Sequence, residues 1–510
     1  MAILMVPRNG PDNAASRLEP QGGAHFDVLV IGAGISGLSA AQALQTKCPG
    51  KSYAILEARD SLGGTWDLFR YPGLRSDSDL YTFGFSFRPW TEDTSIADAP
   101  SILNYLRATA EAFGIDREIR FGQRVVSAAW DTSEARWTLQ VEAGQERIAY
   151  TCGFLYVCAG YYDYADGYRP DWPGTERFAG PIVHPQAWPD DLDYAGKRVV
   201  VIGSGATAVT LVPAMARRAD HVTMLQRSPT YIVALPARDR IANWLKARLP
   251  GPIAHRLARW KNIGLSILFY QFARRKPETL TRRILDGIRK QLGPDYDVGK
   301  HFTPRYKPWD QRLCLVPDGD LFQAIRTGKA SVETDTITRF TEDGLELASG
   351  KTLSADIVVS ATGLKMKLMG GVQVSVDGVM LEPAEHYLYK GMMLSDVPNL
   401  AIALGYTNAS WTLKCELTAA YVCRLLRRMD RRGKAWCVPR RGTATGDAPL
   451  IGFSSGYVTR ARDLIPKQGT ASPWKLHQNY MLDLAGLRYG RLDDGAMVFG
   501  GRRTDTRRAA

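Results

Sequence analysis

The chain of 510 residues has few cysteines, and none of them are grouped. Its seven cysteines are scattered, without a C-x-x-C pair and without regular spacing. Disulfide frameworks, zinc sites and dithiol redox centres all need cysteines at defined spacings. The scatter therefore argues against all three and predicts a reducing compartment.

Long hydrophobic runs are also missing. Crossing a bilayer takes roughly 18–20 apolar residues, and the longest candidate run, 263–273, is about half that length. The N-terminal MAILMVP has no basic residue and its apolar run ends at Pro7, so it is too short for a signal peptide. We expect a cytoplasmic protein. The length predicts two or three domains, and 45% hydrophobic with 23% charged residues is typical of packed globular chains.

Acidic residues are scarce in one stretch, from Arg238 to Lys290. It holds 14 Lys and Arg against three acids, which gives +11 of the chain's net charge of +13. A solvated helical face would account for this charge. The stretch also contains Trp244, Trp260 and Phe269, so contact with an anionic membrane or an acidic partner is the alternative. No nucleic-acid-reading module accompanies the charge, and nucleic acid is not expected as a partner.

A glycine-rich turn follows the first predicted strand. The run DVLVI leads into Gly32-Ala-Gly34-Ile-Ser-Gly37 and a helix of small residues, and the next strand ends at Glu57. Gly32 permits a tight turn, Gly34 lets the backbone approach a pyrophosphate, and Gly37 lets helix and strand pack closely. The helix N-terminus offers free N–H groups to phosphates. With Glu57 placed to accept hydrogen bonds from ribose hydroxyls, the unit predicts a dinucleotide site.

A second unit of the same form begins at Lys197. The strand RVVVI leads into a turn and helix start whose residues are Gly203, Ser204, Gly205, Ala206, Thr207 and Ala208. Here the following strand ends in Gln226, Arg227 and Ser228 instead of an acid. A carboxylate would repel a ribose 2′-phosphate, whereas Arg227 can pair with it and Ser228 can donate to it. The second nucleotide is therefore predicted to be NADPH, and the first a tightly bound flavin, FAD.

These units predict an α/β protein with two Rossmann-like dinucleotide-binding domains and a helical insertion. FLYVCAG (154–160) and SADIVVSATGL (354–364) read as the strands where the chain crosses between domains. The expected boundaries are a flexible N-terminal segment 1–25, a discontinuous FAD-binding domain 26–196 and 354–495, an NADPH-binding domain 197–353 with a basic helical insertion 238–300, and a basic C-terminal tail 496–510.

Between the two units lies F-x-G-x-x-x-H-x-x-x-W-P, formed by Phe178, Gly180, His184 and Trp188 with Pro189. This motif resembles the fingerprint of Baeyer–Villiger mono-oxygenases, the class B flavoprotein oxygenases. The runs GGTWDLFRYPGLRSDSD and HFTPRYKPWDQRLCLVPDGDLF resemble the ethionamide-activating subgroup in particular. The resemblance covers roughly residues 26–480. We interpret His184 and Trp188 as hinge residues that align the two domains.

The resemblance implies a reaction and roles for named residues. FAD reduced by NADPH would react with O₂ to give a C4a-peroxyflavin, which inserts oxygen next to a ketone carbonyl or oxidises a thioether or thioamide. Arg312, in PWDQRLCL, matches the family's essential arginine, and Asp77, in RYPGLRSD, matches the carboxylate that orients it. A fixed cation suits this role because arginine does not deprotonate. Gln311 departs from the lysine often found there, so NADPH preference would depend on Arg227.

The remaining flavin contacts are also expectations. Thr65 and Trp66 fall where the family holds the flavin pyrophosphate and ring, Ser36 can donate to a phosphate, and Val125 can contact adenine through its backbone. The helix after Ser410 can direct its N-terminus at the flavin.

Three other classes of protein share part of this pattern. A disulfide reductase shares the two-nucleotide plan but needs a redox cysteine pair. A glycine-loop module that escorts small GTPases has no use for a second unit ending in Arg227. An amine- or sulfur-oxygenating flavin mono-oxygenase without Baeyer–Villiger activity is the principal alternative, and Trp188, Arg312 and Asp77 favour the Baeyer–Villiger branch over it. The substrate and the oligomeric state stay open.

Overall fold

The computed structural model describes residues 21–442 and 446–502. The strands are β1 Gln21–Ile31, β2 Tyr53–Leu56, β3 Ile119–Arg120, β4 Gln123–Asp131, β5 Arg136–Ala143, β6 Glu146–Val157, β7 Tyr162–Gly167, β8 Ile182–Val183, β9 Arg198–Ile202, β10 His221–Gln226, β11 Ile232–Leu235, β12 Cys314–Pro317, β13 Ala330–Thr334, β14 Ile337–Thr341, β15 Gly344–Leu347, β16 Thr352–Ser354, β17 Ile357–Ser360, β18 Leu364–Met366, β19 Gln373–Val376, β20 Val379–Met380, β21 Leu388–Tyr389, β22 Met393–Leu394, β23 Leu400–Ile402, β24 Trp436–Pro439, β25 Ala448–Pro449, β26 Lys467–Gln468 and β27 Met497–Gly500.

The helices are α1 Ile35–Lys47, α2 Thr65–Leu68, α3 Leu80–Phe83, α4 Ala99–Ala112, α5 Ala206–Met215, α6 Arg240–Arg248, α7 Gly251–Arg275, α8 Pro277–Leu292, α9 Val298–Phe302, α10 Asp320–Arg326, α11 Trp411–Arg432, α12 Gly456–Arg460 and α13 Tyr480–Asp483. Short 3-10 segments and one π-helical segment, Leu484–Tyr489, complete the set.

The larger sheet has nine strands in the order β20-β19-β4-β5-β6-β1-β2-β3, with β23 paired to β6. Its centre is parallel, because β1 pairs in parallel with both β2 and β6. The run Val28–Ile31 is buried on both faces, as expected for a parallel strand covered by helices. Helices α1 and α11 pack together on one side, and Cys48 Sγ lies 3.7 Å from the carbonyl oxygen of Cys423.

The second sheet has five strands, β13-β10-β9-β17-β8, and every pairing in it is parallel. Helix α5 connects β9 to β10, which is the strand–helix–strand unit that the sequence predicted. The α/β fold with two Rossmann-like units is confirmed by this topology together with the solved structures compared below.

The strand pairings differ from the predicted boundaries in three places. Strands β8 and β17 lie in the second sheet, although residues 182–183 and 357–360 were assigned to the FAD-binding domain, because both continue the parallel ladder beside β9. Strand β1 begins at Gln21, inside the segment expected to be flexible, and Met497–Gly500 pairs with β24. Residues 1–20 and 503–510 of the two predicted terminal segments lie outside the described residues. The domain boundaries as a whole remain a prediction.

The basic segment forms the predicted helical insertion, α6 to α9. Its long helix α7 is fixed by Arg259, whose guanidinium donates to the carbonyl oxygens of Tyr81 (2.9 Å) and Gly84 (2.6 Å) and pairs with Glu416 at 2.8 Å. Because Arg259 is buried, one face of α7 packs against α3 and α11, and the opposite face is left to solvent. No helix in residues 21–442 or 446–502 is long and apolar enough to cross a membrane.

Candidate active site

The first glycine turn has the geometry of a phosphate-binding loop. Gly32 has φ +101°, and a Cβ at Gly37 would lie 2.0 Å from the carbonyl oxygen of Gly32, so only glycine lets α1 start this close to β1. Helix α1 has Gly34 at its N-cap, without a side-chain cap or an acidic residue in its first turn. Its first N–H groups are therefore available to an anion, which is the requirement for a dinucleotide pyrophosphate.

Glu57 follows β2 directly and is buried. Its Oε2 accepts from the N–H of Ala33 (2.7 Å) and its Oε1 from the N–H of Arg59 (3.0 Å). Burial raises the pKa of this carboxyl, and the two backbone hydrogen bonds act against that rise. A carboxylate has lone pairs beyond these two bonds, so Glu57 fits the ribose of a nucleotide held by the first turn.

Strand β4 starts beside Glu57, since the N–H of Gln123 donates to its carbonyl oxygen at 2.9 Å. Val125 lies two residues further along β4, next to a register irregularity between Val125 and Ser127. This position is near the predicted adenine end of the site, but the backbone contact of Val125 with adenine remains a prediction.

Aromatic and hydroxyl groups surround the N-terminus of α1. The Trp411 indole N–H donates to Ser36 Oγ at 2.9 Å, and Ser36 Oγ also lies 3.3 Å from Cys415 Sγ. Thr65 Oγ1 lies 3.2 Å from the Tyr164 hydroxyl. Trp66 packs edge-on against Phe83 with ring centroids 5.5 Å apart. The sequence predicted Ser36, Thr65 and Trp66 for this region; the indole of Trp411 was missed.

The second glycine turn repeats the arrangement at α5. Gly203 has φ +138°, and a Cβ at Gly205 would meet no atom within 4 Å, so the space beside this turn is open. Ala208 is fully buried, as close packing of helix and strand requires. Helix α5 starts at Ala206 and Thr207 with no side-chain cap on Gly205 and no acid in the first turn. These residues fit a second pyrophosphate.

Beside this turn, Ser204 Oγ donates to the carbonyl oxygen of Ser228 (3.0 Å) and lies 2.9 Å from Thr230 Oγ1. The turn and the end of β10 are thereby joined. Arg227 and Ser228 are exposed there, and no ion pair of Arg227 is found within the described part of the chain. An exposed, uncompensated guanidinium at this strand end fits a ribose 2′-phosphate.

Arg312 and Asp77 meet across the two halves of the molecule, the first built on the larger sheet and the second on the five-stranded sheet. Arg312 Nη2 lies 2.9 Å from Asp77 Oδ2, and the side chains are 38% and 40% exposed, so both remain accessible to a ligand. The carboxylate of Asp77 raises the pKa of the Arg312 guanidinium above its ordinary value, and burial opposes this effect. Arg312 is therefore a permanent cation with an orienting partner, as the resemblance implied. Gln311 Nε2 instead donates to Ser454 Oγ at 3.4 Å.

Two adjacent tyrosines that the sequence reading missed connect these regions. The hydroxyls of Tyr161 and Tyr162 lie 3.1 Å apart, and the Tyr161 ring is 5.2 Å from that of Trp411. Both phenols, with that of Tyr457, lie near the Arg312 guanidinium. Burial raises the pKa of Tyr161 to about 12, so it stays a neutral hydrogen-bonding group. The pair directly follows FLYVCAG (154–160), which the sequence predicts as a crossing strand, and that position was the signal available in the sequence.

The predicted linking motif lies at the edge of the second sheet. His184 Nδ1 accepts from the N–H of Gln186 (3.2 Å), which leaves Nε2 to donate to the carbonyl oxygen of Gly363 (3.2 Å). Burial lowers the pKa of His184, so the neutral ring is favoured. A Cβ at Gly180 would lie 2.2 Å from the carbonyl oxygen of Asp356, and Phe178 packs on Phe340. Trp188 is half-buried against the core beneath α5. The motif thus ties both crossing segments together.

Two uncapped glycine turns, one followed by a carboxylate and one by a guanidinium, with a paired arginine between the halves, define a two-dinucleotide flavoprotein oxidoreductase. A family model described as "Flavin-binding monooxygenase-like" matches residues 26–244. The "FAD-containing monooxygenase EthA" of Mycobacterium tuberculosis (strain ATCC 25618 / H37Rv) is 54% identical over 477 residues, which are 93% of this chain and 98% of that protein. The protein of the same name from Mycolicibacterium smegmatis is 53% identical over 93% of this chain and 97% of its own length.

Solved structures give the same fold. An oxidized steroid monooxygenase bound to NADP superposes with a TM-score of 0.73 at 23% identity, over 93% of this chain and 99% of that one. The cyclohexanone monooxygenase from Rhodococcus sp. Phi1 bound to NADP⁺ gives 0.72 at 20% identity, over 94% and 99%. The chain belongs to the family of FAD-containing flavin mono-oxygenases of the Baeyer–Villiger type. The predicted family is thereby confirmed, and the amine- or sulfur-oxygenating alternative is not better supported.

Proposed function

We propose that this NADPH-dependent flavin mono-oxygenase inserts one oxygen atom of O₂ next to the carbonyl of an organic ketone, giving an ester or lactone, and oxidises thioethers and thioamides. Bound FAD supplies the activated oxygen after reduction by NADPH. The observation that carries the proposal is the accessible Arg312–Asp77 pair, whose Nη2 and Oδ2 atoms lie 2.9 Å apart.

The residues divide the work between binding and charge stabilisation. The first turn, with Gly32, Gly34, Ser36 and Gly37, would hold the FAD pyrophosphate and Glu57 its ribose. The second turn, with Arg227 and Ser228, would hold NADPH. Arg312 stabilises negative charge on the reacting oxygen, because a guanidinium already oriented by its partner needs no reorganisation when that charge develops. Asp77 keeps that guanidinium oriented.

The test is a panel of ketones and thioethers, with NADPH consumption, oxygenated product and hydrogen peroxide measured together. Arg312→Ala should still bind FAD and oxidise NADPH, because neither step places negative charge on the oxygen that is transferred. Product formation should fall about 100- to 1000-fold, the usual cost of removing one such stabilising group, and hydrogen peroxide should replace it. Gln311→Ala, the adjacent residue, is the matched control. Product at the wild-type rate in Arg312→Ala would exclude Arg312 from this role, and the absence of any ester or lactone from the ketones would exclude the proposed oxygen insertion.

We further propose that helices α6 and α7 contact anionic membranes. Eight large apolar side chains there are exposed, from 66% for Leu268 to 37% for Phe269; they are Ile241, Trp244, Ile253, Leu257, Trp260, Leu265, Leu268 and Phe269. We call them, with the exposed Arg248 and Arg256, the apolar–basic surface. Arg248 lies 4.8 Å from the Trp244 ring centroid. Apolar side chains beside uncompensated cations are the composition of surfaces that bind anionic bilayers.

A further inference from the structure

A second ion pair joins the segments that carry Asp77 and Arg312, with its charges exchanged between them. Arg75 Nη1 lies 2.5 Å from Asp320 Oδ2, and Nη2 lies 3.3 Å from Oδ1, so the guanidinium meets both carboxylate oxygens. The two side chains are 16% and 21% exposed, about half the values for Arg312 and Asp77. The loop between α2 and α3 contributes the cation Arg75 to one pair and the anion Asp77 to the other.

The loop around Arg75 is held closely on both sides. The N–H of Ser76 donates to the carbonyl oxygen of Ala97 at 2.9 Å, and Ser76 Oγ accepts from the N–H of Ala97 at 3.2 Å. Gly73 has φ +77°, and a Cβ there would lie 2.6 Å from Cβ of Ala214, so the loop backbone rests directly on α5. The loop thus belongs to the first half of the molecule and is pressed against the second.

Asp320 is equally well placed on its own side. It is the first residue of α10 and follows β12, the strand that begins just after Arg312. The N–H of Leu321 donates to Asp320 Oδ1 at 2.8 Å and orients the carboxylate toward the loop. A shift of the loop relative to α10 would therefore break the Arg75–Asp320 contact and move Asp77 away from Arg312.

We infer that Arg75 and Asp320 are positioning residues, whose ion pair holds Asp77 against Arg312; the inference rests on the proposed role of Arg312. An ion pair that is open to solvent contributes little net stability, so the accessible Arg312–Asp77 pair is too weak to fix two segments by itself. A less exposed, two-point guanidinium–carboxylate contact is both stronger and directional. The Arg75–Asp320 pair aligns the two segments, and the Arg312–Asp77 pair remains accessible to the reacting groups.

The experiment compares Arg75→Gln, Asp320→Asn and the double variant in the full chain with FAD bound. Arg326→Gln is the matched control, an exposed arginine on the same helix α10. Hydrogen–deuterium exchange of peptides covering 71–79 and 310–321 reports the alignment, and the ratio of hydrogen peroxide to NADPH consumed reports its consequence. Each single variant should raise exchange in both peptides and raise the peroxide ratio at least 3-fold. The double variant should add little, because the two residues act as one unit.

Arg75→Lys keeps the charge and loses the two-point contact, so its peroxide ratio should lie between those of the wild type and Arg75→Gln. A variant with a lower melting temperature but unchanged exchange and peroxide ratio would show a merely structural pair and overturn the inference. Arg312→Ala is run beside them. If it leaks peroxide while Arg75→Gln and Asp320→Asn do not, the positioning role fails alone. If Arg312→Ala retains full product yield, the proposed function of Arg312 fails, and the alignment is decided by the exchange measurement.

Discussion

At the level of single residues, the two glycine-turn units differ in the charge that follows their second strand. Glu57 directly follows β2 and is buried, with both oxygens held by backbone N–H groups. Arg227 directly follows β10 and is exposed. A buried carboxylate selects ribose hydroxyls, whereas an exposed guanidinium selects a phosphate. Because Gln311 donates a hydrogen bond to Ser454, Arg227 is the principal candidate for binding the 2′-phosphate.

Arg227→Ala should therefore weaken NADPH and leave NADH almost unchanged. Loss of a charge-assisted hydrogen bond costs about 1.5–3 kcal/mol, so KM for NADPH should rise roughly 10- to 150-fold. Steady-state kinetics with both nucleotides measures this. Arg217→Ala, an exposed arginine just after α5, is the control and should change neither constant. An equal rise in KM for both nucleotides would mean that Arg227 does not read the 2′-phosphate.

Helix α7 has two faces with different tasks. Arg259 and its neighbours Ala258 and Ile263 are buried against α3 and α11, and the salt bridge to Glu416 fixes the rotation of the helix. That rotation directs Leu257, Trp260 and Leu268 into solvent. A group of exposed apolar side chains of this size is typical of a surface that contacts a partner protein or a membrane.

Sedimentation with vesicles of anionic phospholipid at low salt tests the apolar–basic surface. The wild type should sediment with anionic vesicles, remain free of neutral ones, and be released by salt, because screening weakens surface electrostatics. Arg248→Glu with Arg256→Glu should abolish the association. Arg117→Glu with Arg326→Glu makes the same charge change at exposed positions elsewhere and should not. Absence of binding to anionic vesicles at low salt rules the surface out as a membrane contact.

The two sheets are joined where the chain crosses between them. His184 follows β8 in the second sheet, and its Nε2 donates to the Gly363 carbonyl oxygen in the return crossing. A Cβ at Gly167 would lie 2.0 Å from the His184 ring, so the first crossing also packs on this side chain. One buried imidazole therefore holds three segments, which is why we interpret it as a linking residue.

His184→Ala should leave FAD content unchanged, because the first glycine turn lies between β1 and α1, on the larger sheet, and His184 follows a strand of the second sheet. It should lower the melting temperature, since a hydrogen bond worth about 1 kcal/mol and the packing of a buried ring are lost. Flavin reduction by NADPH should slow, because the second unit is less firmly aligned. Stopped-flow reduction and thermal melting measure the two effects. His184→Gln, which can still donate to Gly363, should recover part of both, and an unchanged reduction rate in His184→Ala would argue against alignment.

Much of this protein follows from local sequence. The two glycine turns, the acid at Glu57 and the cation at Arg227 could be read directly, because a tight turn and a close helix–strand contact each restrict the residue at one position. The family resemblance added the pairing of Asp77 with Arg312, and the geometry agrees with it. The basic segment was predicted to be helical and is helical.

Other features depended on tertiary structure. Arg75 and Asp320 are 245 positions apart, and no local periodicity indicates that they meet. The membership of β8 and β17 in the second sheet is decided by which parallel neighbours they find, and the exposed face of α7 by the burial of Arg259. Local patterns determine strands, turns and the chemistry at their ends, whereas contacts between distant segments arise only when the two sheets pack against each other.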